Sequence, residues 1–238
     1  MKKQLSLFLI VVFLLAACSK NKQDVAAPKD FNGCLGYAAG YSNSGTLGKA
    51  GVYDFNNAQN NTFFANEVKN QRAFWLQIPA TVYVLYEPAF NFRNAYATTD
   101  GKIYFGFQMF NYLVEQFSVL SPTEVSPLPV DGVLAHEWGH RVQFVLGWND
   151  YANNSQRELE ADYMSGYYLG LQKQMYWSQL QTYYTAIYCS GDYLYASPDH
   201  HGTPNQRMNA AYTGLLVAAY ELNHSIHYTY AQLHAGFK

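Results

Sequence analysis

The chain has 238 residues, the length of one ordinary domain with small extensions. Apolar residues make up 49%, enough for a real core, and charged residues only 13%, about half the usual share, so the composition excludes a disordered chain. A net charge of −2 leaves no basic footprint for nucleic acid, and no apolar run reaches the ~20 residues that span a bilayer.

Lys2 and Lys3 precede an apolar run from Leu5 to Ala17. The run is too short to cross a membrane and fits a secretory signal. It ends in Leu15-Ala16-Ala17-Cys18, which looks like a bacterial lipobox. Cutting before Cys18 and acylating its thiol would supply membrane affinity, so residues 1–17 are expected to be a lipoprotein signal peptide. The chain is then expected to be exported and lipid-anchored in a bacterial cell envelope. Residues 18–30 read as a polar tether, ~40 Å long at full stretch, and residues 31–238 as a single domain. Cys34 and Cys189 remain, either bridged in an oxidising compartment or separately buried.

Residues 31–61 are rich in Gly, Asn and Ser and predict loops. The spacing of Phe63, Val68, Phe74 and Trp75 predicts a helix over Thr62–Leu76. Thr81–Tyr86 is β-branched and aromatic, a strand. Asn94–Thr99 is extended, Asp100-Gly101 is a turn signal, and Lys102–Phe105 is the returning strand of a hairpin. Phe107–Phe117 is helical again. The three prolines of 121–129 exclude a helix interior there. Helices are expected over Val130–Leu146, stopped by Gly147, then over Ser155–Leu171 and Gln174–Tyr188. Residues 190–203 read as a polar loop. Thr203-Pro204 is a cap with proline in the first turn, predicting a helix over Pro204–Leu222. A short sheet followed by several helices is an α+β order.

The chemistry concentrates in His136-Glu137-Trp138-Gly139-His140. On a helix, residues i and i+4 share a face, so both imidazoles can reach one metal ion. Zinc accepts imidazole nitrogen and carboxylate oxygen and leaves a position for water. Glu137 projects beside that face and can take a proton from such a water as general base. A catalytic zinc needs a third protein ligand. Glu158 is the expected one, with Glu160 as its rival. Asp162 lies one turn beyond Glu158 and can fix the tautomer of a ligand histidine. Ser155 and Glu158 also have the spacing of a capping box.

HEWGH followed by ELEAD resembles zinc metallopeptidases whose third ligand is the first Glu of an E-x-x-A-D motif. The neutral zinc metallopeptidase family adds an H-G-S/T-x-x-Q-R segment, matched by His201-Gly202-Thr203-Pro204-Asn205-Gln206-Arg207. The HtpX-like peptidases add an N-A-F/Y-A hairpin, matched by Asn94-Ala95-Tyr96-Ala97. Tyr163 stands where the first family often has Cys, and the transmembrane helices of HtpX-like members have no counterpart here. The resemblance covers residues 80–215. It implies a zincin-like (minigluzincin) fold, a peptide or protein substrate, and an edge strand that binds the substrate backbone, here Lys102–Phe105. An oxyanion donor is also needed. His201 is the candidate, against a plain role in the loop and helix cap, with Tyr163 and Tyr167 as alternatives. Gln206 and Arg207 would orient the loop or bind a substrate carboxylate. The competing reading is a zinc-stabilised envelope lipoprotein that binds partners without catalysis.

Overall fold

The computed structural model describes residues 49–51, 54–87, 93–117, 128–175, 180–191, 193, 195, 197 and 200–238. The signal segment, Cys18, the tether and Cys34 lie outside the described residues. Cys189 is disulfide-bonded, and the other half of that bridge also lies outside them. No helix among the described residues is long and apolar enough to cross a membrane.

The architecture is α+β. A four-stranded mixed sheet has the order β1 (Lys49–Gly51), β2 (Thr81–Tyr86), β4 (Lys102–Gly106), β3 (Ala95–Ala97). The three-residue β1 lies within the stretch expected to be dominated by loops. β2 and β4 run parallel, while β3 and β4 form the antiparallel hairpin that Asp100-Gly101 predicts. Gly101 sits there at φ +94°, a backbone that side chains rarely tolerate. The sheet order overturns one expectation. Lys102–Gly106 is an inner strand with a neighbour on each side, so it has no free edge for a substrate backbone. Among the described residues β1 and β3 are the margin strands, and β3 is the one beside β4.

α1 (Ala58–Phe74) begins four residues earlier than expected, because Asn57 caps it by accepting from the backbone N–H of Gln59 and Asn60. α2 (Phe107–Phe117) follows β4 directly, as expected. The Glu87 carboxylate accepts from the N–H of Gln108 (2.8 Å) and Met109 (3.3 Å) at its start. α3 (Leu128–Leu146) takes Pro129 into its first turn, where no intrahelical N–H is missed. It ends at Gly147, φ +67°, with Trp148 N–H bonded back to the Gln143 carbonyl at 3.0 Å.

α4 (Asn154–Gln172) is capped by Asn153, which accepts from Gln156 N–H. The capping box expected at Ser155 is therefore absent. Ser155 already lies inside the helix, and its hydroxyl donates to the His200 carbonyl at 2.8 Å. The helix expected over 174–188 begins only at Gln181 and runs to Ser190 (α5). Gln174 has φ +52°, which breaks a right-handed helix. α6 (Pro204–His224) starts with the expected Thr203 cap, completed by Gln206 into a capping box. A further helix, α7 (Tyr230–Phe237), is set by a second box from Thr229 and Gln232.

The helices enclose a core of Phe64, Phe105, Phe110, Leu134, Trp138, Tyr168 and Tyr183, with the sheet packed on one side. α4 and α6 approach closely through Gly166 and Gly214. A Cβ on Gly166 would lie 1.9 Å from the Ala211 carbonyl oxygen, and one on Gly214 would lie 1.8 Å from that of Tyr163. This contact brings the first turn of α6 against the first half of α4.

Candidate metal centre

α3 is buried along nearly its whole length, so its polar residues must find partners inside the protein. His136 and His140 project from one face, one turn apart, as the i, i+4 spacing requires. Their Nε2 atoms lie 3.1 Å apart. Glu158, in the first half of α4, closes the triangle. Its carboxylate oxygens lie 3.3 Å from His136 Nε2 and 3.4 Å from His140 Nε2. These three side chains form a group able to hold a metal ion, and all are buried.

The hydrogen bonds behind the rings fix what faces the centre. His136 Nδ1–H donates to Asp162 Oδ1 at 2.8 Å. His140 Nδ1–H donates to Gln143 Oε1 at 2.9 Å. The Gln143 amide cannot be turned the other way round, because its nitrogen faces two acceptors, the Arg157 carbonyl (2.8 Å) and Glu160 Oε2 (3.2 Å). With Nδ1 as the protonated nitrogen of each neutral ring, both Nε2 atoms turn a lone pair toward the Glu158 carboxylate. Three acceptors then converge with no donor among them. Four-coordinate ligands ~2.0–2.1 Å from a zinc ion stand about 3.3 Å apart. The observed spacings of 3.1, 3.3 and 3.4 Å fit those edges.

Burial disfavours a charged His136, yet the Asp162 carboxylate, with Glu158 at Nε2, outweighs it and pushes the ring up to about 10, so in the metal-free protein at neutral pH Nε2 carries a proton that a metal ion would displace. Burial likewise opposes the charge on Glu158, but the paired imidazoles hold its carboxyl well below the usual range. A proton can answer this potential at one ring, whereas a divalent cation answers all three groups together.

Glu137 stands beside the triad and is 2% exposed. Burial raises its pKa above the ordinary carboxylate value, and the two imidazoles pull partly against that rise. Its Oε2 has no hydrogen-bond partner among the described residues. Glu137 lines a cavity of about 90 Å³, large enough for several waters, together with His136, Glu158, Asn94, Val133 and His201. Ala95 of β3 is on the same wall. Arg141 holds that wall to α3, donating to the Thr98 carbonyl at 2.6 Å and the Pro79 carbonyl at 3.2 Å.

Most of the sequence-predicted site residues come together here. His136, Glu137, Glu158, Asp162 and His201 all line one cavity, and His140 completes the triad. Glu160, the rival ligand, points away from it and is bonded to Tyr151, Gln143 and His234. Tyr163 and Tyr167 drop out as oxyanion donors. Tyr163 is packed in the core, and the Tyr167 hydroxyl donates to Glu221 Oε2 at 2.5 Å. Gln206 completes the capping box of Thr203. Arg207 does not wait for a substrate carboxylate: it grips Asp162 through Nε (2.7 Å) and Nη2 (2.8 Å), and its Nη1 donates to the Ser190 carbonyl at 3.1 Å, where the expected loop begins. Burial would raise the Asp162 pKa, but Arg207 and His136 together hold the carboxyl below its ordinary value. Sequence reasoning gave Gln143 no role. Its one signal was its place three residues after His140, one turn along the same helix face. No protein-family model matches this chain, and no curated protein or solved structure is detectably similar to it.

Proposed function

We propose that this protein is a zinc-dependent peptidase of zincin-like (minigluzincin) fold, cutting peptide bonds within protein or peptide substrates. The observation that carries the reading is the convergence of three lone-pair donors on one point, beside a buried carboxylate with a free oxygen. His136, His140 and Glu158 would hold the ion. Zinc at that place supplies Lewis acidity, polarising the scissile carbonyl and bringing the pKa of water toward ~7.

The remaining steps belong to the chain's own residues. Glu137 Oε2 takes the proton of the attacking water and returns it to the nitrogen of the departing amine. Its raised pKa suits both halves of that transfer. Asp162, backed by Arg207, holds His136 in the tautomer that leaves Nε2 free. His201 is the side chain offered to the oxygen of the tetrahedral intermediate. The substrate backbone adds to the free edge of β3, whose Ala95 lines the cavity. A further part of the proposal, export with a lipid anchor at Cys18, rests on the signal sequence alone.

The test combines metal content with cleavage. Purified protein should carry about one zinc per chain and cleave an unfolded protein substrate, and a chelator should abolish cleavage. Glu137→Gln should keep its zinc and lose roughly 10²–10⁴-fold in kcat. Full cleavage by that variant, or wild-type protein that takes up no metal, would overturn the reading.

A further inference from the structure

The two ligand histidines are backed differently. Behind His136 stand Asp162 and Arg207, a carboxylate closed by a guanidinium. Behind His140 stands the neutral Gln143, and an amide can turn by half a rotation at little cost in shape. Turned, Gln143 would point N–H groups at His140 Nδ1–H and break the contact. What prevents the turn is the pair of acceptors on its nitrogen, the Arg157 carbonyl and Glu160 Oε2.

Glu160 is fully buried, and a buried carboxylate keeps its place only while donors surround it. It accepts from the Tyr151 hydroxyl and the Gln143 amide on Oε2, and lies 2.6 Å from His234 Nδ1 on Oε1. His234 belongs to α7, 94 positions further along the chain than His140. Its ring is clamped on several sides. Trp148 stacks on it with centroids 4.0 Å apart and planes 17° apart, and its Nε2 lies 3.2 Å from Asp150 Oδ1. The ring therefore cannot swing away from Glu160 without giving up several contacts.

We propose that His234 is a positioning residue for the metal centre: through Glu160 and Gln143 it holds the ligand His140 in the tautomer and tilt that present Nε2 to the ion. The inference rests on the zinc reading above and makes the C-terminal helix part of the centre, not a cover for the core. Of the other attachments around α7, Leu233 and Tyr230 stand apart from this line, whereas Lys238 reaches Asp150, which also meets the His234 ring. Leu233 is buried in the core, Tyr230 donates to the Leu76 carbonyl at 3.0 Å, and Lys238 donates to the Asp150 carbonyl at 2.8 Å.

The experiment measures the zinc affinity of the full-length protein by competition with a chromophoric chelator. The absorption spectrum of the Co2+-loaded protein is recorded alongside. His234→Leu should weaken zinc binding about tenfold, the low end of what contacts behind a ligand contribute, and should shift the Co2+ spectrum. His234→Asn keeps a donor near Nδ1 and should recover wild-type affinity to within about threefold. Leu233→Ala should lower the urea midpoint while leaving affinity and spectrum unchanged. Should His234→Leu fail to fold, Glu160→Gln takes its place and should show the same tenfold loss. Wild-type affinity in folded His234→Leu or Glu160→Gln, or an equal loss in Leu233→Ala, overturns the inference while leaving the peptidase reading intact. Wild-type protein that binds no zinc overturns both.

Discussion

Two clusters of buried charge bind α3 to its neighbours. One lies at its first turn. There Asp131 and Glu67 of α1 both meet Lys173, at 3.1 and 2.6 Å, and Glu67 also accepts from Tyr168 (2.6 Å) and Gln71 (3.0 Å). The other lies two turns along, around His136 and His140. Both clusters join α3 to α4, and both set buried carboxylates inside the protein. The first contains its own cation, at the point where the carboxylates meet. In the second, Arg207 answers Asp162 but stands behind the ring, and the facing lone pairs of His136, His140 and Glu158 are left to one another. A cluster closed by its own lysine is a fastening. One whose centre gathers two imidazole nitrogens and a carboxylate, on the wall of a cavity, could hold a cation that arrives from outside.

That contrast can be broken at its strongest point by Arg207→Met. The substitution keeps bulk but leaves Asp162 buried without its cation, which is expected to cost about 3–5 kcal/mol in urea unfolding. Zinc affinity should fall roughly 10–100-fold, because His136 loses its fixed support. The corresponding change in the other cluster, Lys173→Met, should be milder, about 1–3 kcal/mol, since the lysine side chain is 22% exposed and water screens part of the charge. Its zinc affinity should match the wild type. A tenfold loss of zinc in Lys173→Met would show that the two clusters act as one.

A further effect is in the pH dependence of metal-free protein, where the two buried aspartates act with opposite sign. Burial and the neighbouring Glu67 raise the pKa of Asp131, with Lys173 pulling against them. The native state then keeps a proton that the unfolded chain releases near pH ~3.9. The stability this contributes is full below that pH and is lost as pH climbs through the raised native value. Asp162 is lowered by Arg207, so its contribution is present above ~3.9 and is lost as pH falls through its native value. Comparing urea midpoints at pH 5 and pH 8, Asp131→Asn should flatten the decline of stability with rising pH. An unchanged slope would place the Asp131 proton elsewhere.

Much of this was legible along the chain because it depends on short-range geometry. The i, i+4 histidines share a face wherever their helix lies, and Glu158 and Asp162 share one for the same reason. Thr203 with Pro204 announces the start of α6, and Gly147 the end of α3, through local backbone preferences. The same kind of signal was present and unread at Thr229 and Gln232, whose spacing sets up α7. Other features could not be read locally. Ser155 has a capping residue's spacing, but Asn153 took the cap, since both positions satisfy the same local rule.

The sequence by itself determined most of the elements, the paired histidines with Glu137 between them, and the acidic residues able to join them, because each depends on contacts within a turn or two of chain. Only the tertiary structure decided that Glu158 and not Glu160 faces the histidines, that Arg207 closes on Asp162, that β3 and not β4 forms the margin of the sheet, and that His234 stands behind His140. Each of those depends on which way a helix is rotated or which strand lies outermost. That is set by the packing of distant apolar faces and by close approaches such as Gly166 against Gly214, and chain spacing carries no record of it.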